Sequence, residues 1–566
     1  MPFCYAFEAK SIQSWILDSG RMAEMVAASS VVDALCEGPL DALASRLDVA
    51  GDIRWARRAG GAFYALADSA APLTALRDAW SLAMPGLAPG LEFIHAIVEG
   101  GSDFAALSTA LQQLGAQRNE PAISLPLPGP LAEREARTGL PAVRHVSNGS
   151  SRKQGFVSAP TLRKRGADLD AAEGVGERML PPEASAAARD AAGLPRYVWP
   201  RNLEQDGAED DSGNAWDFPF LGSGAVAVVH ADGNGLGQVL IRLQGVFADD
   251  PRDYAKVFRG FSDCIGRATL KAAQHACEKV LLPQAVRGRA GSREVLRLPA
   301  RPIVLGGDDL TIIVRADLAL DFTEAFLSAF EIETRSALGA WHASLGGRSG
   351  AAFETLRRLD HLTACAGAVF VRSSQPFYMA YELSESLCKF AKQRSGAVAA
   401  GSTKPASLAF ARITNSLDEE AGSPFAASID LPGSGPAHMS LGAYATSSSS
   451  GLPALADLRA LAGLLASPDM ARGPARTLLN TLELDGNDAV DAYRRWRETM
   501  TRRDREGTRS RIAALDALLG RFGSPLSDAP FVRGDAFGTH QIATPLADAQ
   551  DLIAVGALTS HNEVGA

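Results

Sequence analysis

Apolar residues recur with two different periods along this chain. Short unbroken apolar runs, FCYAFEA at 3–9, AVAVVHAD at 225–232 and LTACAGAVFV at 362–371, have the length and composition of buried strands. Between them, IQSWILDSGRMAEMVAASSVVDAL at 12–35, GNGLGQVLIRLQGVF at 233–247 and PFYMAYELSESLCKFAKQ at 376–393 return to an apolar face every three or four residues, as amphipathic helices do. From about residue 452 the pattern is helical throughout, in PALADLRALAGLLA and AVDAYRRWRETM.

These elements repeat. WARRAGGAFYALAD is a pair of strands joined at Gly60-Gly61, and RPIVLGGDDLTIIVRAD repeats that design at Gly306-Gly307. Each hairpin is preceded by an apolar strand with a helix and followed by a further strand and helix: LEFIHAIVEG with FAALSTALQQLGAQ in the first copy, LTACAGAVFV with PFYMAYELSESLCKFAKQ in the second. The order predicts an α+β fold of two ferredoxin-like palm domains, each an antiparallel sheet with helices on one face. Pro-rich residues 118–136, an acidic run at 204–214 and TSSSSG at 446–451 break the pattern. The expected division is a degenerate palm at 1–120, an inter-palm insert at 121–221, a catalytic-type palm at 222–405, a strand and loop connection at 406–451 and a helical domain at 452–566.

Length and composition constrain what such a protein does. With 566 residues, 46% hydrophobic content and a net charge of −9, the chain is long enough for several cores and too acidic to coat nucleic acid by bulk charge. A polyanion site must be built locally. The six cysteines share no C-x-x-C spacing, so neither zinc nor a disulfide framework is expected. No basic segment followed by an apolar one opens the chain, and no stretch approaches 18 apolar residues. The expectation is a cytoplasmic protein with no membrane contact.

The candidate chemistry lies in the second copy. Its first strand ends in Asp232, followed by Gly233, Asn234, Gly235 and Gly237, and its hairpin tip carries Asp308 and Asp309 after Gly306 and Gly307. A palm sheet sets the end of its first strand beside its central hairpin, so the three carboxylates converge. Converging carboxylates without His or Cys suit Mg²⁺ or Mn²⁺, and such ions serve nucleotidyl transfer. The 233–237 loop also opens a helix, whose free N–H groups suit phosphate oxygens, whereas Gln238 spoils a G-x-G-x-x-G dinucleotide loop. Gly and Asp are also ordinary turn residues; buried-type flanking strands and a third acid weigh against that plainer reading. The first copy has Gly60-Gly61-Ala62-Phe63 at its hairpin and Glu8-Ala9-Lys10-Ser11 after its first strand, so it is expected to be catalytically dead and to pack against the second.

At HADGNGLG, GGDD and the segment from Thr363 to Lys392 the chain resembles the large palm-domain subunit of type III CRISPR effector complexes, which makes cyclic oligoadenylate from ATP. The resemblance implies ATP as substrate, guide RNA and other effector subunits as partners, palm–palm pairing within the chain or with a partner, and Lys392 as a triphosphate contact. Three departures stand out. Asn234 replaces an acid common in the family, the chain begins directly at the first palm with no His-Asp nuclease domain, so DNA cleavage is not expected, and PAVRHVSNGSSRKQGFVSAPTLRKR is similar to the family's zinc-ribbon insert without its cysteines.

The function expected is therefore a metal-dependent nucleotidyltransferase or cyclase in antiviral signalling. A non-catalytic nucleotide-binding scaffold of an RNA-guided complex is the alternative, favoured by Asn234. A diguanylate-cyclase-like enzyme is a third, disfavoured because Leu310 follows the hairpin acids. Two basic patches are candidates for RNA or a neighbouring subunit: Arg152, Lys153, Arg163, Lys164 and Arg165, and the arginines at 494–511, which are interleaved with Glu498, Asp504 and Glu506.

Overall fold

The computed structural model describes residues 1–118, 120, 129–147, 155–166, 174–187, 197–203, 217–221, 224–248, 253–290, 292–345, 351–399, 403–413, 428–431, 434–447, 451–467, 470, 478, 486–502, 506–526, 529–534 and 541–557. The acidic run at 204–214, and Arg152, Lys153, Arg503 and Arg505 of the basic patches, lie outside them.

The first unit runs β1 (Phe3–Ala9), α1 (Ile12–Leu17), α2 (Met22–Leu35), α3 (Gly38–Arg46), β2 (Arg54–Ala59), β3 (Ala62–Ala67), α4 (Ala70–Leu87), β4 (Phe93–Glu99) and α5 (Asp103–Arg118). Its strands form an antiparallel sheet in the order β2-β3-β1-β4, the ferredoxin-like arrangement. The helix expected over 12–35 is two helices. Gly20 takes φ +65° between them, and a residue in that region ends a helix.

The segment between the palms carries β5 (Ala142–Val146), β6 (Gly155–Ser158), α6 (Ala159–Arg165), α7 (Gly174–Met179), α8 (Pro182–Ala187) and β7 (Tyr197–Val198). The basic run on α6 does not face outward as a patch. Lys164 is fully buried, donates to the Trp15 carbonyl and to Asp18 Oδ1 at 2.5 Å, and lies 4.6 Å from the centre of the Trp15 ring. Arg165 Nε donates to Glu24 Oε1 at 2.7 Å, and Arg163 Nε to the Leu87 carbonyl at 3.0 Å. These three cations therefore dock the insert onto the first palm. A buried charge is costly unless it is paired, and Lys164 has its partner in Asp18.

The second unit runs β8 (Ala225–Gly233), α9 (Leu236–Ala248), α10 (Tyr254–Ala276), β9 (Val286–Ala290), β10 (Arg293–Arg297), β11 (Ala300–Gly306), β12 (Asp309–Arg315), α11 (Ala319–Ser344), α12 (Ala351–Arg357), β13 (Ala364–Arg372) and α13 (Phe377–Val398). Its sheet begins in the same order, β11-β12-β8-β13, and is extended by β14 (Ser407–Arg412), parallel to β13. The two palms share a core: Tyr254 and Phe258 of α10 pack on Phe104 and Tyr64 of the first palm, with ring centres 4.8 and 6.0 Å apart, and Ser29 of α2 donates to the Ile303 carbonyl of β11. Palm–palm pairing is thus within the chain.

The C-terminal part differs from the all-helical expectation. β15 (Ser428–Leu431), β16 (Gly435–His438) and β17 (Ala443–Ala445) are followed by α14 (Leu455–Ala466), α15 (Gly486–Arg502), α16 (Glu506–Phe522), the short strands β18 (Ser524–Pro525), β19 (Val532–Gly534) and β20 (Gln541–Ala543), and α17 (Leu546–Val555). β17 closes the edge of the second palm sheet, while β15 and β16 join the late strands in a sheet ordered β15-β16-β20-β19-β18. Strands of two or three residues leave no alternation to read in sequence. In the second basic patch, Arg497 is bidentate on Asp516, and Tyr493 and Trp496 are buried. Among the described residues no helix is long and apolar enough to cross a membrane.

Candidate metal and nucleotide site

Register brings the acids together. Leu310 pairs with Ala231, which sets the next residue of β8, Asp232, beside the start of β12 at Asp309. Gly306 pairs with Asp309 across a two-residue turn in which only Gly307 takes a positive φ, +61°, so its second position accepts an ordinary residue, Asp308. One carboxylate oxygen from each of Asp232, Asp308 and Asp309 lies within 4.8 Å of the other two, and all three residues are half-buried.

The electrostatics of this cluster are uneven. Lys392 on α13 donates to Asp232 Oδ2 and, at 2.9 Å, to the Gly233 carbonyl. Although burial opposes it, that ammonium holds the Asp232 carboxyl below the usual range. Burial and the charge of Asp232 push Asp308 up to about 7, and burial with both neighbouring acids pushes Asp309 well above its ordinary value. One lysine offsets one carboxylate, and the other two are left in want of a cation or protons. An oxygen-only donor set with surplus negative charge fits a hard divalent ion such as Mg²⁺.

The surrounding residues fix this geometry. Gly233 is close-packed, since a Cβ there would meet Asp308 Oδ2 at 2.9 Å and Leu236 Cδ1 at 2.7 Å. Gly235 takes φ +81° just before α9, where the first turn offers unpaired N–H groups. Gly237 lies on the exposed start of α9, where a Cβ would meet nothing within 4 Å. Thr269 on α10 donates to the Gly307 carbonyl at 2.7 Å and steadies the hairpin tip. Asn234 is buried and turned to β13: its N–H donates to the Thr363 carbonyl at 2.7 Å and its amide to Thr363 Oγ1 at 3.0 Å and Cys365 Sγ at 3.2 Å. It ties the loop down and is not a member of the cluster.

One further residue went unnoticed in the sequence. A Cβ on Gly367 of β13 would lie 1.9 Å from the Ser384 carbonyl and 2.7 Å from the Cys388 nitrogen, so α13 packs backbone to backbone on the sheet and thereby brings Lys392 to Asp232. A lone glycine inside an apolar strand is the signal for such an approach.

The first palm matches this site position for position without its two hairpin acids. Glu8 pairs with Ala62 across the sheet, Ser11 takes φ +50° where Gly235 does, and the Lys10 N–H donates to the Glu92 carbonyl as that of Asn234 does to Thr363. Arg118 at the end of α5 donates to Glu8 Oε2 at 2.9 Å, as Lys392 does to Asp232. Because Ala59 pairs with Ala62, it is Gly61 that corresponds to Asp308, one residue on from the match suggested by aligning the two Gly-Gly pairs. Arg57 on β2 stands between the palms; burial disfavours its charge, but Tyr64, Glu8 and Asp308 more than offset this.

Fold and cluster together define a protein with two fused palms, one of which carries an acidic, cation-seeking edge. No protein-family model and no curated protein matches the chain. Its neighbours among solved structures are Csm1 chains. A Csm1–Csm4 cassette in complex with cA4 aligns at 12% identity and a TM-score of 0.46, covering 99% of this chain and 70% of that one. Csm1 of T. onnurineus aligns at 15% and 0.43, covering 98% and 69%. A Csm1–Csm4 cassette with AMPPNP aligns at 12% and 0.36 over 69% of this chain, and that alignment covers about half, 53%, of the other chain. At such identities no site residue is carried across from them.

Proposed function

We propose that this protein is a divalent-metal-dependent nucleotidyltransferase that joins ATP into linear or cyclic oligoadenylate as a subunit of a type III CRISPR effector. The reading is carried by the convergence of Asp232, Asp308 and Asp309 beside the start of α9. These carboxylates would hold Mg²⁺ or Mn²⁺, which when bound lowers the pKa of an attacking hydroxyl and neutralises phosphate charge. The chain's own residues do the rest. Lys392 keeps Asp232 ionised and offers an ammonium at the same edge, the first turn of α9 presents N–H groups to phosphate oxygens, and Gly233 leaves the hairpin acids room to approach. The Csm1–Csm4 neighbours hold cA4 and AMPPNP; the same ligand classes are proposed here on the strength of this chain's own cluster.

The decisive experiment incubates the purified protein with labelled ATP or GTP and Mg²⁺ or Mn²⁺, with and without RNA partners. An oligonucleotide product that disappears in Asp308→Asn/Asp309→Asn supports the enzyme. No product under any condition overturns it and favours the scaffold reading, for which Asn234, buried away from the cluster, is the supporting observation.

A further inference from the structure

A small cavity lies on the far side of α13 from the acidic cluster. It measures about 200 Å³ and is lined by Phe390, Arg394, His438, Ser440, Leu441, Gly442 and Gln541, at the seam between the second palm and the C-terminal sheet. Arg394 and Lys392 are two residues apart, about 200° round a helix of 3.6 residues per turn, so the cavity and the acidic cluster occupy opposite faces of α13.

The chemistry of this cavity is cationic and unanswered. Arg394 stacks on Phe390, with its guanidinium carbon 5.3 Å from the ring centre, and its Nε is buried without a hydrogen-bond partner. Among the described residues no carboxylate pairs with it, and burial is what acts on its charge, lowering its pKa. His438 Nδ1, across the cavity, is likewise buried without a partner. Asp548, the acid that holds the adjoining loop, is already engaged: it accepts from the Leu441 N–H at 3.0 Å and from the Tyr444 hydroxyl. That loop is further fixed by the Gly442 N–H, which donates to Ser440 Oγ at 2.9 Å. A buried polar group without a partner is costly, and more so when charged, and here two such groups line one small cavity.

We propose that this cavity binds a phosphate group, held by the Arg394 guanidinium and the His438 ring, independently of the metal site. An arginine fork is the usual partner for phosphate oxygens. The volume falls below the ~300–1,000 Å³ of drug-sized ligand pockets and matches a phosphate group better than a whole nucleotide. The group is either free phosphate or a phosphate of an RNA strand.

Equilibrium dialysis of the full chain with labelled inorganic phosphate, in EDTA so that the acidic cluster holds no metal, tests the site. Saturable binding is expected, weakened about tenfold or more in Arg394→Gln and Arg394→Ala and by a smaller factor in Arg394→Lys, which keeps the charge and loses the fork, with unchanged Mg²⁺-dependent AMPPNP binding. Competition with 5′-phosphorylated and 5′-hydroxyl RNA separates the sources: competition by both marks a backbone phosphate, by the first alone a terminal one, by neither free phosphate. Absence of saturable binding, or equal binding by a folded Arg394→Gln, overturns the proposal.

Discussion

Two palms in one chain share a strand order, a left-handed residue before the helix and a cation reaching back from the last helix to the first strand, and only one gathers acids. The difference is smallest in topology and largest in turn geometry. In the second palm a single positive φ, at Gly307, leaves the next position free for Asp308; in the first, Gly60 and Gly61 take φ +59° and +74°. A Cβ on Gly61 would in addition meet Ile12 Cδ1 at 2.8 Å. The first palm thus lacks an acid there for conformational as well as chemical reasons. What remains is a closed network, Tyr64 and Arg118 on Glu8, that satisfies its own charges. The cation-seeking edge differs from the structural one in leaving charge unsatisfied.

The sharpest way to break this contrast is to remove the surplus charge. Asp308→Asn/Asp309→Asn is expected to lower product formation by about 10³-fold or more, equivalent to ~4 kcal/mol, while the melting temperature without metal rises or holds; a quench-flow or end-point assay beside calorimetry reads both. Next in size is Gly367→Ala, which must drive α13 off β13. Overpacking of this kind costs roughly 1–3 kcal/mol, seen as a lower melting temperature and weaker Mg²⁺ and nucleotide binding, whereas Ala96→Gly at the matching place in the first palm leaves binding unchanged.

A third expectation concerns pH. Folding raises Asp308 to about 7 and Asp309 well above its ordinary value, so the folded chain holds protons that the unfolded chain has released above about 4. Protonation therefore stabilises the metal-free protein fully below about pH 4, and that contribution is lost as pH rises through 7. Mg²⁺ must displace the same protons, so the rise in melting temperature that it causes should be larger at pH 8 than at pH 5.5; equal shifts would show that the ion binds elsewhere. The smallest effect belongs to Glu8→Gln. It removes an ion pair whose arginine is mostly exposed, worth about 1 kcal/mol or less, with Mg²⁺ binding by titration calorimetry unaltered.

Much of this was legible in the chain itself because strands buried on both faces and a Gly-Gly turn leave strong local signatures. The pairing of Asp232 with the hairpin acids followed from strand order alone. What was hidden depends on partners far away in sequence. Lys164 reads as part of a basic run until Asp18 and Trp15 enclose it, the strands at 524–543 are too short to alternate, and Gly367 gains meaning only when Ser384 lies against it. Likewise the hairpins differ by one residue in register, which pattern matching on Gly-Gly cannot detect because it aligns letters and not φ angles.

The paired positive φ angles at Gly60 and Gly61 also set a direction of travel. Replacing either glycine by aspartate strains the backbone before any ion can reward it, by roughly 1–2 kcal/mol for a residue forced into that region. Building a metal edge there would require the turn to change type, Ile12 to shrink and two acids to arrive together. The first palm is in this sense locked by its own turn: it serves as a wall for its twin, and no single substitution makes it a second metal edge.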